Sequence, residues 1–404
     1  MAAAFATRME RMKASEIREL LKLLGRPEII SFAGGIPDPA LFPRDAFRQA
    51  YEHILAGDGA GSALQYSPSE GYPPLRDWLV GEMAKLGIRC TLDNVFIVSG
   101  SQQALDYLGK LFLSPGDTVL VTWPTYLGAL QAFNAYEPTY GRLSLSDRAG
   151  NSLHAAAAGG PVKFAYLSAD FANPTGETLS RPERERLLDL AEALDIAVVE
   201  DAAYQALRYD GEPIPPILAL ELARKNQDIE HTRTIYCGSI SKTLSPGLRV
   251  GFVVARRAVI SKLVLIKQAS DLHSSTINQM AIAEVATAIF DQQVERVRAV
   301  YKRRRDCMLA ALKRHMPATV AWTHPEGGMF LWLTLPSGID AAALLDKAIK
   351  TKNVAFVPGQ AFHADGSGAN TLRMSFSCAD EPTIEEGIAR LGGLVGEEID
   401  RLAR

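Results

Sequence analysis

The chain has 404 residues, more than one simple hydrophobic core accommodates, so two or three domains are expected. Hydrophobic residues make up 47% and charged residues 22%, and the formal net charge of −3 gives no electrostatic reason to expect nucleic acid or a membrane surface as partner. Cys90, Cys237, Cys307 and Cys378 are widely spaced, with no CxxC and no adjacent His cluster. That argues against a disulfide scaffold or a metal site and suits a reducing compartment, with the cytoplasm as the expected location. No apolar run approaches the ~20 residues that cross a bilayer, and Met1 to Lys13 lacks the apolar stretch of a secretory signal.

Ile17, Leu20, Leu21 and Leu24 fall at helical spacing and predict a short amphipathic helix over 14–24. Next comes Glu28-Ile29-Ile30-Ser31-Phe32, then the turn-rich Gly34-Gly35-Ile36-Pro37-Asp38-Pro39. Gly57-Asp58-Gly59-Ala60-Gly61-Ser62 reads as a loop; it does not match GxGxxG and follows no strand, which excludes a dinucleotide fingerprint. From about residue 94, short β-rich runs alternate with helical patterns. The runs are Val95–Val98, Thr118–Val121, Phe164–Leu167, Ile196–Val199, Thr234–Cys237 and Val250–Val254. Continuous apolar strands separated by helices predict a mostly parallel sheet covered on both faces. Ser180-Arg181-Pro182-Glu183 carries a capping-box Ser and Glu and marks a helix start. Ala155-Ala156-Ala157-Ala158 reads as loop or helix.

After about residue 290 the pattern changes. A long polar helix is expected over Gln292 to His315, and its basic run Lys302-Arg303-Arg304-Arg305 reads as a solvated face. Apolar runs follow at Met329–Leu333 and Leu372–Phe376, and a helix from about Pro382 closes the chain. The expected division is an N-terminal segment over 1–45 joining a smaller domain, a large domain over 46–290, and a small α+β domain over 291–404.

In open α/β sheets the reacting groups stand at the carboxyl ends of strands. Val95–Val98 runs into Ser99-Gly100-Ser101-Gln102, where the free N–H groups of a helix start suit a phosphate. Ile196–Glu200 runs into Asp201-Ala202-Ala203-Tyr204, a carboxylate that on its own reads equally well as a helix cap. Thr234–Gly238 runs into Ser239-Ile240-Ser241-Lys242, and Arg249 follows seven residues after the lysine. Hydroxyls, amine and guanidinium together suit a phosphate and an imine-forming lysine. Lys242-Thr243 lacks the glycines of a P-loop, and Ser239-x-x-Lys242 lacks the KTG partner of an SxxK hydrolase.

With Asn173-Pro174-x-Gly176, Asp201-x-x-Tyr204, Ser239-x-Ser241-Lys242, Arg249 and Arg373 in this order, the chain resembles the fold-type I aminotransferases. The likeness runs from Phe32-Ala33-Gly34-Gly35-Ile36-Pro37 to Arg373 and is greatest to the 2-aminoadipate, kynurenine and broad-specificity subgroup. It implies the α/β PLP-transferase fold and pyridoxal 5′-phosphate (PLP) as cofactor, held by Lys242 as a Schiff base. It further implies that Lys242 moves the substrate proton and that Asp201 pairs with the pyridinium nitrogen. Asn173 and Tyr204 would bond the phenolic oxygen, and Tyr126 would stack on the ring. Ser101, Gln102, Ser239, Ser241 and Arg249 would hold the phosphate, joined in a shared-site homodimer by Tyr66 of the neighbouring subunit. Arg373, with Asn173 and Gly35, would take the substrate α-carboxylate, and Arg18 its distal carboxylate. Taken singly, most of these residues have an ordinary reading: a turn starter for Asn173, a core aromatic for Tyr126, a solvated helix face for Arg18.

The expected reaction is ping-pong exchange between an L-amino acid and a 2-oxo acid, 2-oxoglutarate foremost. A C–S lyase on the same fold is the alternative, separated by release of pyruvate and ammonia. A PLP-sensing transcriptional regulator would need a DNA-binding domain ahead of Phe32, where little chain precedes the first motif.

Overall fold

The computed structural model describes residues 5–12, 28–145 and 159–403. The helix expected over 14–24, Arg18 within it, and the Ala155–Ala158 run lie outside the described residues.

Thirteen strands occur among them: β1 (Ile30–Ser31), β2 (Val95–Val98), β3 (Thr118–Val121), β4 (Thr139–Arg142), β5 (Val162–Leu167), β6 (Ala197–Asp201), β7 (Thr234–Ser239), β8 (Gly251–Val254), β9 (Ala321–Trp322), β10 (Phe330–Thr334), β11 (Val354–Ala355), β12 (Val357–Pro358) and β13 (Thr371–Ser375). Seven form one sheet in the order β2-β8-β7-β6-β5-β3-β4. The neighbours from β7 through β4 pair in parallel, whereas β8 runs antiparallel to both β2 and β7. The apolar runs are buried on both faces, as a helix-covered parallel sheet requires. β4 has no counterpart among the expected strands; it is the sheet edge, and only Gly141 of its four residues is buried.

A second, antiparallel sheet has the order β12-β13-β10-β9, and β1 pairs in parallel with β11. Ile29, Phe32, Ala33 and Leu41 pack into the same core as Phe330, Leu331, Leu372, Ile388 and Val395. The early segment is thereby joined to the C-terminal sheet.

The helix expected from Gln292 begins sixteen residues earlier and runs unbroken over Thr276–His315. Its first half (Ala281, Ile282, Val285, Ala286) packs with the large sheet's core, and its second half (Val297, Tyr301, Met308) with the C-terminal core. Only half of the basic run is a solvated face: Arg303 is exposed and Lys302 partly so, but Arg304 and Arg305 are buried. Arg304 bonds Asp38 at 2.8 Å and the Ser377 carbonyl, and Arg305 bonds Asp210 at 2.5 Å. A buried guanidinium requires such charged partners, and these come from distant segments. Residues Ala60–Ala63, within the expected glycine loop, form a single helical turn. The capping box at Ser180 and Glu183 forms as expected and starts the helix Arg181–Leu194. Among the described residues no helix is long and apolar enough to cross a membrane.

Candidate active site

Register brings the sequence motifs together. Gly251 stands opposite Val98 of β2 on one side and Ser239 of β7 on the other. The turn after β2, the turn after β7 and the Arg249 turn before β8 therefore share one edge of the sheet. A Cβ on Gly251 would stand 2.6 Å from the Ser101 nitrogen, so only glycine lets the turns close so tightly. Gly100 has φ +81°, and a side chain there would strike the Arg249 guanidinium.

The helix Ser101–Phe112 opens directly from this turn, and Ser101, Gln102, Ser239, Ser241 and Arg249 line part of a cavity of about 130 Å³ that is partly open to solvent. Tyr126, Asn173, Asp201, Tyr204 and Lys242 line the remainder. Arg249, exposed, donates to the Pro246 and Ser99 carbonyls at 3.4 Å each. Gln102 donates to the Gly128 carbonyl at 2.6 Å. Gly128 itself leaves room for the Tyr126 ring, which a Cβ would overlap.

Asp201 closes β6 and is buried. One carboxylate oxygen accepts from the Tyr166 hydroxyl at 2.8 Å; the other, Oδ1, is buried with no hydrogen-bond partner among the described residues. Burial pushes the carboxyl up to about 6, against the lowering effects of Tyr166, the Ala203 N–H and Lys242. Lys242 donates to the Gly35 carbonyl at 3.2 Å, and its Nζ lies 5.7 Å from the Tyr204 ring centre. Burial first, then the charges of Arg373 and Arg249, bring its amine down to about 8. Such an amine sheds its proton far more readily than a surface lysine. Burial also raises Tyr126 to about 12 and Tyr204 higher still, so both phenols stay protonated donors.

Arg373 comes from β13, on the other sheet, and is fully buried. It donates to Asn173 Oδ1 at 2.8 Å and to the Ala33 carbonyl at 2.9 Å, while its Nε is buried without a partner among the described residues. Its guanidinium lies between two rings, 4.4 Å from the Phe330 centre and 5.1 Å from that of Phe362. Burial brings it down to about 10, which leaves it charged at neutral pH. A Cβ on Gly35 would stand 3.6 Å from Arg373 Nη2 and 3.0 Å from the Phe330 ring.

Of the expected site residues, Arg373, Gly35 and Tyr66 do not line this cavity: Arg373 and Gly35 reach it through Asn173 and Lys242, which they bond, and Tyr66 is 77% exposed, with its ring edge-on to His273 at 5.8 Å. Four contributors were not expected from the sequence. Ser168 lines the cavity, Tyr166 holds Asp201, and Phe330 and Phe362 sandwich Arg373. The signal for Tyr166 was available, since it is the one hydroxyl within the apolar run Phe164–Leu167.

The family model described as aminotransferase class I and II matches residues 40–391. This chain belongs to that family. It is 45% identical to a 2-aminoadipate transaminase of Thermus thermophilus over 96% of each protein. It is 42% identical to aromatic-amino-acid aminotransferase 1 of Thermococcus litoralis, over 96% of this chain and 93% of that one. Among solved structures, the Thermus thermophilus alpha-aminoadipate aminotransferase in complex with N-(5′-phosphopyridoxyl)-L-leucine superposes with a TM-score of 0.88 at 42% identity, covering 98% of both chains. The kynurenine aminotransferase of Pyrococcus horikoshii gives 0.89 at 43%, covering 98% of this chain and 97% of that chain. The fold is PLP-transferase fold type I, and the cofactor of this aminotransferase is pyridoxal 5′-phosphate. The enzyme transfers an amino group between an amino acid and a 2-oxo acid.

Proposed function

We propose that the cavity is the transamination site and that Lys242 is the residue that carries the cofactor. The observation that carries this reading is Asp201 Oδ1, a buried carboxylate oxygen without a partner in the same cavity wall as a lysine whose amine titrates near 8. A carboxylate left in that state fits a protonated ring nitrogen, which would restore both its charge balance and its hydrogen bond. The hydroxyls of Ser101, Ser239 and Ser241, the helix start and Arg249 fit a phosphate dianion at the cavity's other end.

When bound, the cofactor supplies an electron sink that stabilises negative charge at the substrate Cα. The chain's residues do the rest. Arg373 offers a planar two-nitrogen fork to the substrate α-carboxylate, with Asn173 and Gly35 alongside. Arg373 bonds Asn173 and Ala33, so its guanidinium is oriented in advance. Lys242 would be the base that takes the substrate Cα proton and the acid that gives it back. Tyr204 and Asn173 would bond the cofactor's phenolic oxygen, Tyr126 would stack on its ring, and Gln102 would join the phosphate contacts.

The enzyme works as a homodimer in this reading, with Tyr66 reaching the partner's phosphate; its exposure and its absence from its own chain's cavity support that role. Arg18 pairs with the distal carboxylate of acidic substrates, and 2-oxoglutarate is the acceptor; relatives named for 2-aminoadipate, a dicarboxylic amino acid, support an acidic substrate. The four cysteines are free, in keeping with a reducing cytoplasm. The chain divides functionally into 46–290, which carries the cofactor, and a unit of 1–45 with 291–404, which brings Arg373.

A half-reaction screen tests this directly. Holoenzyme mixed with single amino acids should lose the visible absorbance of the lysine-bound cofactor, fastest with 2-aminoadipate, glutamate or aromatic donors, and 2-oxoglutarate should restore it. Release of pyruvate and ammonia without return of that absorbance would make the enzyme a lyase instead.

A further inference from the structure

Behind the phosphate end of the cavity lies a polar cluster that the reaction as described does not use. Lys267, near the end of the helix Arg257–Ser270, is fully buried. Its Nζ donates to Asp271 Oδ1 at 3.0 Å and to Gln103 Oε1 at 2.9 Å. Gln103 Oε1 also accepts from the Ser99 backbone N–H at 2.8 Å, and Gln103 Nε2 donates to Asp271 Oδ2 at 2.8 Å. Asp271 accepts the Tyr107 hydroxyl at 3.2 Å and the Ser99 hydroxyl at 3.4 Å, and the Ser99 hydroxyl contacts that of Ser274 at 3.2 Å. None of Lys267, Asp271, Gln103 and Tyr107 lines the cavity.

A buried lysine is a costly way to tie two helices together; apolar side chains of similar volume do that at least as well. What the charges add here is direction. Both partners of Lys267 reach Ser99, Gln103 through its N–H and Asp271 through its hydroxyl, and the Ser99 carbonyl faces Arg249. Ser99 in turn fixes Gly100 in its left-handed conformation and so sets where the free N–H groups of the helix Ser101–Phe112 point. We propose that Lys267 and Asp271, acting through Gln103, are positioning residues that hold the Ser99–Ser101 turn in the shape that receives the cofactor's phosphate. The inference rests on the reading that places the phosphate at this turn.

The experiment uses holoenzyme loaded with PLP. In Lys267→Met, release of the cofactor on dilution should quicken by about tenfold or more, the loss expected when a charged hydrogen-bond donor is removed. The 31P resonance of the bound cofactor should move, and the apparent affinity for added PLP should weaken more than the maximal rate falls. Lys267→Met leaves Asp271 and Gln103 without one of their donors and could fold poorly. The double variant Lys267→Met/Asp271→Asn removes both charges together, and it should still release the cofactor quickly even where its thermal unfolding recovers. A purely structural role predicts that release and unfolding recover together, and that outcome overturns the proposal. So does an unchanged release rate and 31P signal in both variants. Ser101→Ala and Arg249→Met holoenzymes separate the two levels. If they too release cofactor at the normal rate, the phosphate placement itself falls; if they release it quickly while the Lys267 variants do not, only the positioning role falls.

Discussion

In the proposed reading, the phosphate and the substrate carboxylate are held by different means. At the phosphate end, Ser101, Ser239, Ser241 and Arg249 come from three turns at one edge of one sheet, gathered by the opposition of Gly251 to Val98 and Ser239. Arg249 there is exposed, and its partners in this chain are carbonyls 3.4 Å away. At the carboxylate end, one fully buried guanidinium from a different sheet is clamped by Asn173, Ala33 and two aromatic rings. The first design is a cup of many small donors that suits a group meant to stay. The second is a single oriented fork that suits a group that must arrive and leave in every cycle, with its orientation already fixed by neighbours. Lys242 lies between them, and both Arg373 and Arg249 lower its proton affinity.

The largest effect expected belongs to that middle position. Lys242→Ala should cut transamination by at least about 10⁴-fold, because covalent and proton-transfer roles disappear together. PLP should still be retained through the phosphate end, as equilibrium dialysis would show. An active Lys242→Ala enzyme would dissolve the division of labour altogether. Next comes Arg373→Lys, which keeps the charge and removes the fork. It should lower kcat/KM for amino acids by about a hundredfold and leave PLP release unaltered. Arg249→Met should do the converse, speeding PLP release about tenfold with little change in amino-acid KM. If both variants moved the same parameter, the two ends would not be separate devices.

The smallest effect is on stability against pH in the cofactor-free protein. Lys242 titrates near 8 in the fold, against the ordinary lysine value of 10.5. Below about 8 both folded and unfolded chains hold the proton, and the cost of burying the charge is fully present. Between 8 and 10.5 the unfolded chain holds more protons, so stability rises with pH, and above that window the cost is gone. The urea midpoint of the wild type relative to Lys242→Met should therefore climb across this window. A flat difference would mean that the amine is not desolvated by its neighbours.

That Ser239, Ser241 and Arg249 come together was legible in the sequence because strand, turn and strand follow one another between Thr234 and Val254, whereas the Ser101 turn joins them only through the pairing of β2 with β8. The carboxylate end was not legible in the same way. Asn173 lies 200 residues from Arg373 and Ala33 lies 340 away, so only the family likeness singled out Arg373, and nothing marked Phe330 or Phe362. Distance also explains the misreading of Arg304 and Arg305, whose acids Asp38 and Asp210 stand 266 and 95 residues away. The early start of the Thr276–His315 helix escaped notice because Ser275 makes no side-chain cap and the first turns are buried on several sides. Tyr166 was absorbed into an apolar strand, although its hydroxyl is what holds Asp201.

The measurement that bears most directly on the central claim is reduction of the holoenzyme with borohydride, which fixes the cofactor to whichever amine carries it, followed by peptide mapping by mass spectrometry. The account predicts the added phosphopyridoxyl mass on Lys242, within the peptide that also holds Ser239 and Ser241. The same mass on Lys267, the buried lysine that bonds Gln103 beside Ser99, or on any lysine outside the cavity, would contradict it.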